Sequence, residues 1–144
     1  MFYEKCQKFT FILFLIIIPY FSFSQNQNSY DIEENGYFTN LQRCSKGILL
    51  TDNYASKIYL LENGKLSTII VSQNCGWYYT VSPDGNFFGY KIFTDIGEQI
   101  PVSYNIETAK ITELYPKSKL YGQASFSNNG IIAFSINNTL KIFW

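Results

Sequence analysis

The stretch that determines the fold reads VSPDGNFFGY and runs from Val81 to Tyr90. Its first half predicts a turn, because Pro83 supplies the fixed φ of the second turn position and Asp84 can bond its own backbone. Gly85 can then take a positive φ without steric cost. The aromatic residues that follow favour a strand. The stretch therefore predicts a β-hairpin with a glycine bulge.

A second stretch repeats this pattern further along the chain. Residues 126–134 read FSNNGIIAF and place Asn128, Asn129 and Gly130 where the first stretch has its turn. Asparagine tolerates the left-handed backbone region, so this segment predicts a turn of the same kind. Gly85 and Gly130 are 45 residues apart.

Two further pairs of segments support the same period. Residues 62–69, which open with the hairpin signal ENGK, align with residues 107–114 at an offset of 45. Residues 57–60 align with residues 141–144 at an offset of 84, which is nearly twice that period. A repeat of 40–45 residues with four strands per unit is typical of a β-propeller blade.

The chain after residue 36 is β-prone throughout. Short apolar runs alternate with turn residues every 8 to 12 positions, and no segment has the periodicity of an amphipathic helix. The pattern predicts an all-β fold, in which a sandwich or an irregular β fold is the alternative to a propeller. The predicted strands are Gly47–Thr51, Lys57–Leu61, Leu66–Val71, Trp77–Val81, Phe87–Phe93, Val102–Ile106, Ile111–Leu114, Ala124–Phe126, Ile131–Ile136 and Leu140–Phe143.

The segment Ser82-Pro83-Asp84-Gly85, with the strand after it, resembles the Ser-Pro-Asp-Gly-Lys-x-Ile-Ala-Phe core of TolB-type, WD-like β-propeller repeats. The resemblance covers roughly residues 45–144, and Asn128-Asn129 replaces Pro-Asp in the last copy. In that family the matching residues shape turns and pack blades. The resemblance therefore implies a propeller and carries no catalytic or metal role to these residues.

The first 24 residues have the layout of a secretory signal peptide. Lys5 and Lys8 give a positive start, and an apolar run follows over residues 9–18. Ser22 and Ser24 have the spacing of a signal peptidase site. The apolar run is shorter than the roughly 20 residues of a membrane span, so an uncleaved signal anchor is the weaker alternative.

These features predict a signal peptide over residues 1–24, a polar spacer over residues 25–36 and a propeller-like region over residues 37–144. The protein is expected to be exported to the periplasm, the cell surface or the medium of a bacterium. After signal removal it is expected to have no membrane span.

The chain is short for a propeller. Closed propellers have 4–8 blades, because a blade must stack on neighbours to bury both of its faces. Two to three blades fit in residues 37–144, and the sequence stops within the apolar run Leu140–Trp144. Three explanations are open. The favoured one is that the chain is the front part of a longer propeller protein. The others are that it assembles with its own copies, or that the fold is not a closed propeller. A cut propeller predicts an exposed apolar edge that self-associates.

Composition argues against several function classes. Basic and acidic residues both number 11, so the chain has no electrostatic footprint for nucleic acid. It has no histidine, the common general base, zinc ligand and triad member. It also lacks a nucleophile elbow and a phosphate-cradling glycine loop. We expect no catalytic activity, no metal site and no cofactor.

The richest aromatic patch is GWYY at residues 76–79. In a strand, alternation would place Trp77 and Tyr79 on one face and Tyr78 on the other. Trp77 and Tyr79 could then stack on a sugar or a peptide side chain, although packing between blades uses large rings in the same way and is favoured.

Two cysteines remain once the signal, with Cys6, is removed. Cys44 and Cys75 could form a disulfide in an oxidising compartment. The alternative is a pair of small buried thiols.

Together these observations predict a non-catalytic, exported binding or interaction module with an unidentified protein, peptide or glycan ligand. The alternatives are the N-terminal propeller of a larger exported peptidase and a self-assembling structural protein of the cell envelope.

Overall fold

The computed structural model describes residues 37–143. The predicted signal peptide and polar spacer, and the last residue Trp144, lie outside these residues. The described part of the chain contains eleven strands and no helix. The strands are β1 (Phe38–Cys44), β2 (Gly47–Asp52), β3 (Lys57–Glu62), β4 (Lys65–Val71), β5 (Thr80–Val81), β6 (Phe87–Phe93), β7 (Gln99–Asn105), β8 (Ile111–Glu113), β9 (Ser125–Phe126), β10 (Ile132–Ile136) and β11 (Thr139–Phe143).

The strands form three antiparallel sheets that follow one another along the chain. Blade I has the order β1-β2-β3-β4, blade II has the order β5-β6-β7-β8, and blade III has the order β9-β10-β11. Each sheet is a simple meander, and the first strands β1, β5 and β9 are neighbours from one sheet to the next. Meanders that meet along their first strands are the blades of a propeller. The structure thus confirms the prediction of an all-β, incomplete propeller.

The 45-residue offset relates equivalent parts of successive blades. Asn63-Gly64 links the third and fourth strands of blade I, and residues 106–110 link the same strands of blade II. The turns with Gly85 and Gly130 link the first and second strands of blades II and III. Asn63 and Gly64 have φ values of 50° and 78°, as a two-residue hairpin turn requires.

Three strands differ from the prediction by more than one residue at an end. Strand β1 was not expected, because FTNLQRC lacks alternation: Asn40 has a φ of 50°, and the pairing shifts between Thr39 and Gln42. The predicted strand Trp77–Val81 is reduced to its last two residues. Strand β7 begins three residues before the predicted start and includes Pro101.

Two apolar cores lie between the blades. Successive residues of β6 face the two cores in turn: Phe88 and Tyr90 are buried between blades I and II, whereas Gly89 lies against Ala124 and Ile132. Lys91 contacts Tyr121 in the segment that leads into blade III. The second core contains Tyr121, Ala124, Ile132 and Phe134.

Side chains of the first strands also tie each blade to the next. The Gln42 amide accepts a hydrogen bond from the Val81 nitrogen at 3.0 Å and donates one to the Tyr79 carbonyl at 2.9 Å. One blade further on, the Thr80 hydroxyl donates to the Ala124 carbonyl at 2.9 Å. The contact between neighbouring blades is therefore repeated.

Candidate functional site

The aromatic patch lies in the connection between β4 and β5 rather than in a strand. Two successive turns form there, because the Cys75 nitrogen donates to the Ser72 carbonyl and the Trp77 nitrogen donates to the Asn74 carbonyl. Asn74 adopts a left-handed φ of 58°, which asparagine tolerates. Chain direction therefore changes before β5 begins, and the expected alternation of Trp77, Tyr78 and Tyr79 does not occur.

The turn changes which of the three rings are exposed. Trp77 and Tyr78 are 59% and 45% exposed, whereas Tyr79 is fully buried. The Tyr79 hydroxyl donates to the Leu49 carbonyl at 3.1 Å and also contacts the Asn40 carbonyl. Burial raises the pKa of Tyr79 above its usual value. Trp77 and Tyr79 therefore do not form the possible binding face: Tyr79 packs in the core, and Tyr78 lies beside Trp77 instead.

The exposed rings line a recess of about 200 Å³, whose walls are Asn74, Trp77, Tyr78 and Phe93. The Trp77 and Tyr78 ring centroids are 6.1 Å apart, and the ring planes meet at 62°. The two rings form a corner rather than a flat platform. Phe93, at the end of β6, supplies a further apolar wall.

A buried lysine side chain packs against two of the rings that line this recess. Lys91 is only 6% exposed, and its Nζ donates to the Tyr121 carbonyl at 2.9 Å. The same Nζ lies 5.0 Å from the Tyr78 ring centroid and 5.8 Å from that of Phe93. Burial lowers the pKa of Lys91, and the two ring faces stabilise its charged form. Lys91 thus connects two walls of the recess to the segment that leads into blade III.

Lys91, Phe93 and Asn74 were not among the site residues expected from the sequence. One signal was available for Lys91, because it is the only charged residue in the apolar strand FFGYKIF. A lysine buried in such a strand needs a carbonyl, a carboxylate or a ring as its partner. Phe93 and Asn74 gave no comparable signal.

The Ser-Pro-Asp-Gly segment forms the turn between β5 and β6. The Ser82 hydroxyl donates to Asp84 Oδ1 at 2.6 Å, and the Asn86 nitrogen donates to the same oxygen at 3.0 Å. These hydrogen bonds lower the pKa of Asp84, with the bond from Ser82 contributing most. Pro83 is exposed at the tip, and Gly85 has a φ of 76°. The Asp84 carboxylate therefore accepts hydrogen bonds from residues of its own turn.

The corresponding turn of blade III contains Asn128, Asn129 and Gly130. The Ser127 hydroxyl accepts hydrogen bonds from the Asn129 and Ile131 nitrogens at 3.3 Å and 3.1 Å. Ser127 thus has the position that Ser82 has in blade II. Gly130 has a φ of 77°.

A larger and more polar concavity lies beside the first of these turns. It measures about 350 Å³ and is lined by Arg43, Ser45, Pro83 and Asp84, among others. Asp84 Oδ2 accepts a hydrogen bond from the Asn86 side chain at 2.9 Å, so both carboxylate oxygens already have partners. This concavity is therefore a weaker candidate than the aromatic recess, whose rings are exposed.

The two cysteines are separate free thiols, and both are buried in the core between blades I and II. Of the two arrangements that the sequence allows, the structure therefore has the pair of buried thiols and not the Cys44–Cys75 disulfide. Burial raises the pKa of the Cys75 thiol to about 11.

Two kinds of feature are absent from residues 37–143. No group of three or more Cys, Asp or Glu side chains there could hold a metal ion. The same part of the chain has no helix with the length and apolar character that a membrane crossing requires.

Comparisons with known proteins identify the fold. The chain is similar in structure to the tricorn protease, a β-propeller protein, with a TM-score of 0.61 and 18% sequence identity. The similarity covers 72% of this chain and only 11% of the tricorn protease chain. At this identity it shows the fold alone. No family model matches the chain, and no curated protein matches its sequence.

Proposed function

We propose that this chain is an exported, non-catalytic protein-binding module that receives a large apolar side chain of its partner in the aromatic recess. The observation that carries the proposal is the pair of exposed rings, Trp77 and Tyr78, at the corner of that recess. Exposed tryptophan and tyrosine side chains are enriched at the energetic centres of protein interfaces.

The size and shape of the recess favour a protein or peptide over a small molecule or a glycan. Small-molecule pockets measure about 300–1,000 Å³, and this recess is smaller, at about 200 Å³. A sugar ring stacks on a flat exposed face, whereas Trp77 and Tyr78 meet at 62°. A corner of this kind can enclose one aliphatic or aromatic side chain.

Three features support a non-catalytic function. The chain has no histidine. Ser82 and Asp84 are hydrogen-bonded to each other and to their own turn. A raised pKa of about 11 keeps Cys75 as a thiol, and the thiolate is the nucleophilic form. The similarity to the tricorn protease concerns the fold only, so it does not favour the alternative of a propeller attached to a peptidase.

The signal-peptide layout of residues 1–24 supports export to the periplasm, the cell surface or the medium. The Ser82–Gly85 turn motif supports a relationship to TolB-type propellers within the broader propeller fold.

A peptide selection tests the binding function. A phage-displayed library of random 12-residue peptides is selected on the protein, and the enriched peptides are synthesised and titrated by calorimetry. We expect peptides with one shared large apolar anchor. Loss of a well-packed interface aromatic costs about 2–4 kcal/mol, so W77A/Y78A should weaken binding by about thirtyfold or more.

The matched control is the double variant Y37A/Y54A. These tyrosines are more exposed than Trp77 and Tyr78 but do not line the recess. The control should bind the peptides with unchanged affinity. Peptides that bind W77A/Y78A as tightly as the original protein would contradict the proposal. So would Trp77-dependent binding of chitotriose or cellohexaose in place of any peptide.

A further inference from the structure

A second surface of the chain is apolar, and no part of residues 37–143 covers it. On the face of blade III that points away from blade II lie Ser125, Ala133, Leu140 and Ile142. Leu140 and Ile142 are 61% and 50% exposed, although both lie within a paired strand. A shallow groove of about 390 Å³ runs beside Ala133 and Ile142. We call this surface the open face.

The pairing of the strands shows which positions of blade II correspond to the open face. Phe126 pairs with Ile132 as Val81 pairs with Phe88, so Ala133 corresponds to Gly89 and Ser125 to Thr80. In blade II these two positions contact the next blade: a Cβ at Gly89 would meet Ile132 and Ala124, and Thr80 donates to the Ala124 carbonyl. The open face is therefore the equivalent of a surface that blade III covers on blade II.

The third strand supports the same correspondence. Ile142 pairs with Ala133 as Ser103 pairs with Gly89, and Leu140 pairs with Ser135 as Pro101 pairs with Lys91. Pro101 is fully buried in blade II. Blade III has a leucine at the position of this proline and leaves it exposed.

The charge distribution indicates what can cover the open face. The described strands of blade III place no charged side chain on it: Lys141 points to the opposite face, where its Nζ lies 5.0 Å from the Tyr115 ring centroid. The Ser125 hydroxyl has no hydrogen-bond partner within residues 37–143. A twofold contact requires a patch that is complementary to itself. An uncharged aliphatic sheet face meets this requirement, because two copies can pack without like-charge repulsion.

We propose that a second copy of this chain covers the open face, so that two blades III pack face to face around a twofold axis. Continuity with the contact between blades II and III supports a sheet as the occupant, and the neutral aliphatic surface supports an identical sheet. Three short strands give a small interface, and small interfaces are typical of weak association. We therefore expect a dimer with a micromolar dissociation constant.

Sedimentation equilibrium tests this proposal on the protein purified in the form that the cell produces, at concentrations from about 5 to 500 μM. We expect a reversible monomer–dimer equilibrium. The variant L140S/I142S removes four large apolar side chains from the dimer interface, two from each copy. About half of the surface of each side chain remains to be buried, which is worth about a threefold change or more, so the four changes together should weaken dimerisation about a hundredfold or more.

The matched control is I96S/L120S, which makes the same two changes at side chains that are 74% and 67% exposed but lie off the open face. It should dimerise like the original protein. The L140S/I142S variant should stay folded, because Ile132 and Phe134 on the other face of blade III keep it packed against blade II. Far-UV circular dichroism checks this. A monomer at all concentrations, a dimer that survives L140S/I142S, or a polydisperse aggregate would each overturn the proposal.

Discussion

Replacing Gly89 with alanine tests the contact between blades II and III. A Cβ at this position would lie 2.4 Å from Ile132 Cδ1 and 2.9 Å from Ala124 Cβ. The Ile132 methyl can rotate away, but the Ala124 Cβ moves only with its backbone. Overpacking of a core costs about 1–3 kcal/mol, so we expect the G89A variant to lose about that much free energy of unfolding. Urea denaturation followed by circular dichroism measures it.

The sign of the change in the free energy of unfolding shows whether Gly89 packs against blade III or is exposed to solvent. The φ of Gly89 is outside the left-handed region, so alanine at an open site would stabilise the protein by about 0.4–1 kcal/mol. The I132V variant removes the Cδ1 atom that the new Cβ meets. Alone it should cost about 0.5–1.5 kcal/mol, and it should cost less in the G89A background. A neutral or stabilising G89A, or strictly additive effects in the double variant, would refute the stacking of the two blades.

Two further predictions concern buried titratable groups. Burial raises the pKa values of Tyr79 and Tyr90 above the value of 10.0 that a tyrosine has in the unfolded chain. Above pH 10 the unfolded state therefore loses protons that the folded state keeps, so the stability of the protein should fall as the pH rises above 10. Absorbance titration at 295 nm should show these two tyrosines ionising only as the protein unfolds; their ionisation with an ordinary pKa in the folded state would contradict this. Cys44 and Cys75 should react with Ellman's reagent at pH 8 only after addition of denaturant, and rapid reaction of the native protein, or a missing pair of thiols, would contradict their burial as free cysteines.

The fold was predictable because its strongest signals are local. The turn around Gly85 depends on residues that are adjacent in sequence, and hydrogen bonds from Ser82 and Asn86 to Asp84 form it. The recurrence of such turns at an offset of 45 residues indicated a repeated four-stranded unit. Strand β1 was missed because the left-handed Asn40 breaks the alternation that identifies a strand. The start of β7 was placed too late because Pro101 lacks a backbone donor.

The candidate site was predictable only in part. Aromatic density drew attention to Trp77, but the sequence could not show that Asn74 turns the chain before β5 begins. This turn decides that Tyr78 is exposed and Tyr79 is buried. The contributions of Lys91 and Phe93 come from a neighbouring strand, and the Lys91 partner Tyr121 lies 30 residues away. Such contacts depend on how blades stack, which strand patterns do not report.

Proton–proton cross-relaxation in isotope-labelled protein tests the stacked-blade arrangement most directly. The account predicts a nuclear Overhauser effect between the Gly89 α-protons and the Ile132 δ1-methyl group, and another between Gly89 and the Ala124 methyl group. If the paired residues Gly89 and Ser103 give their cross-strand signal while both signals to blade III are absent, the sheets form but do not stack as described, and the account is contradicted.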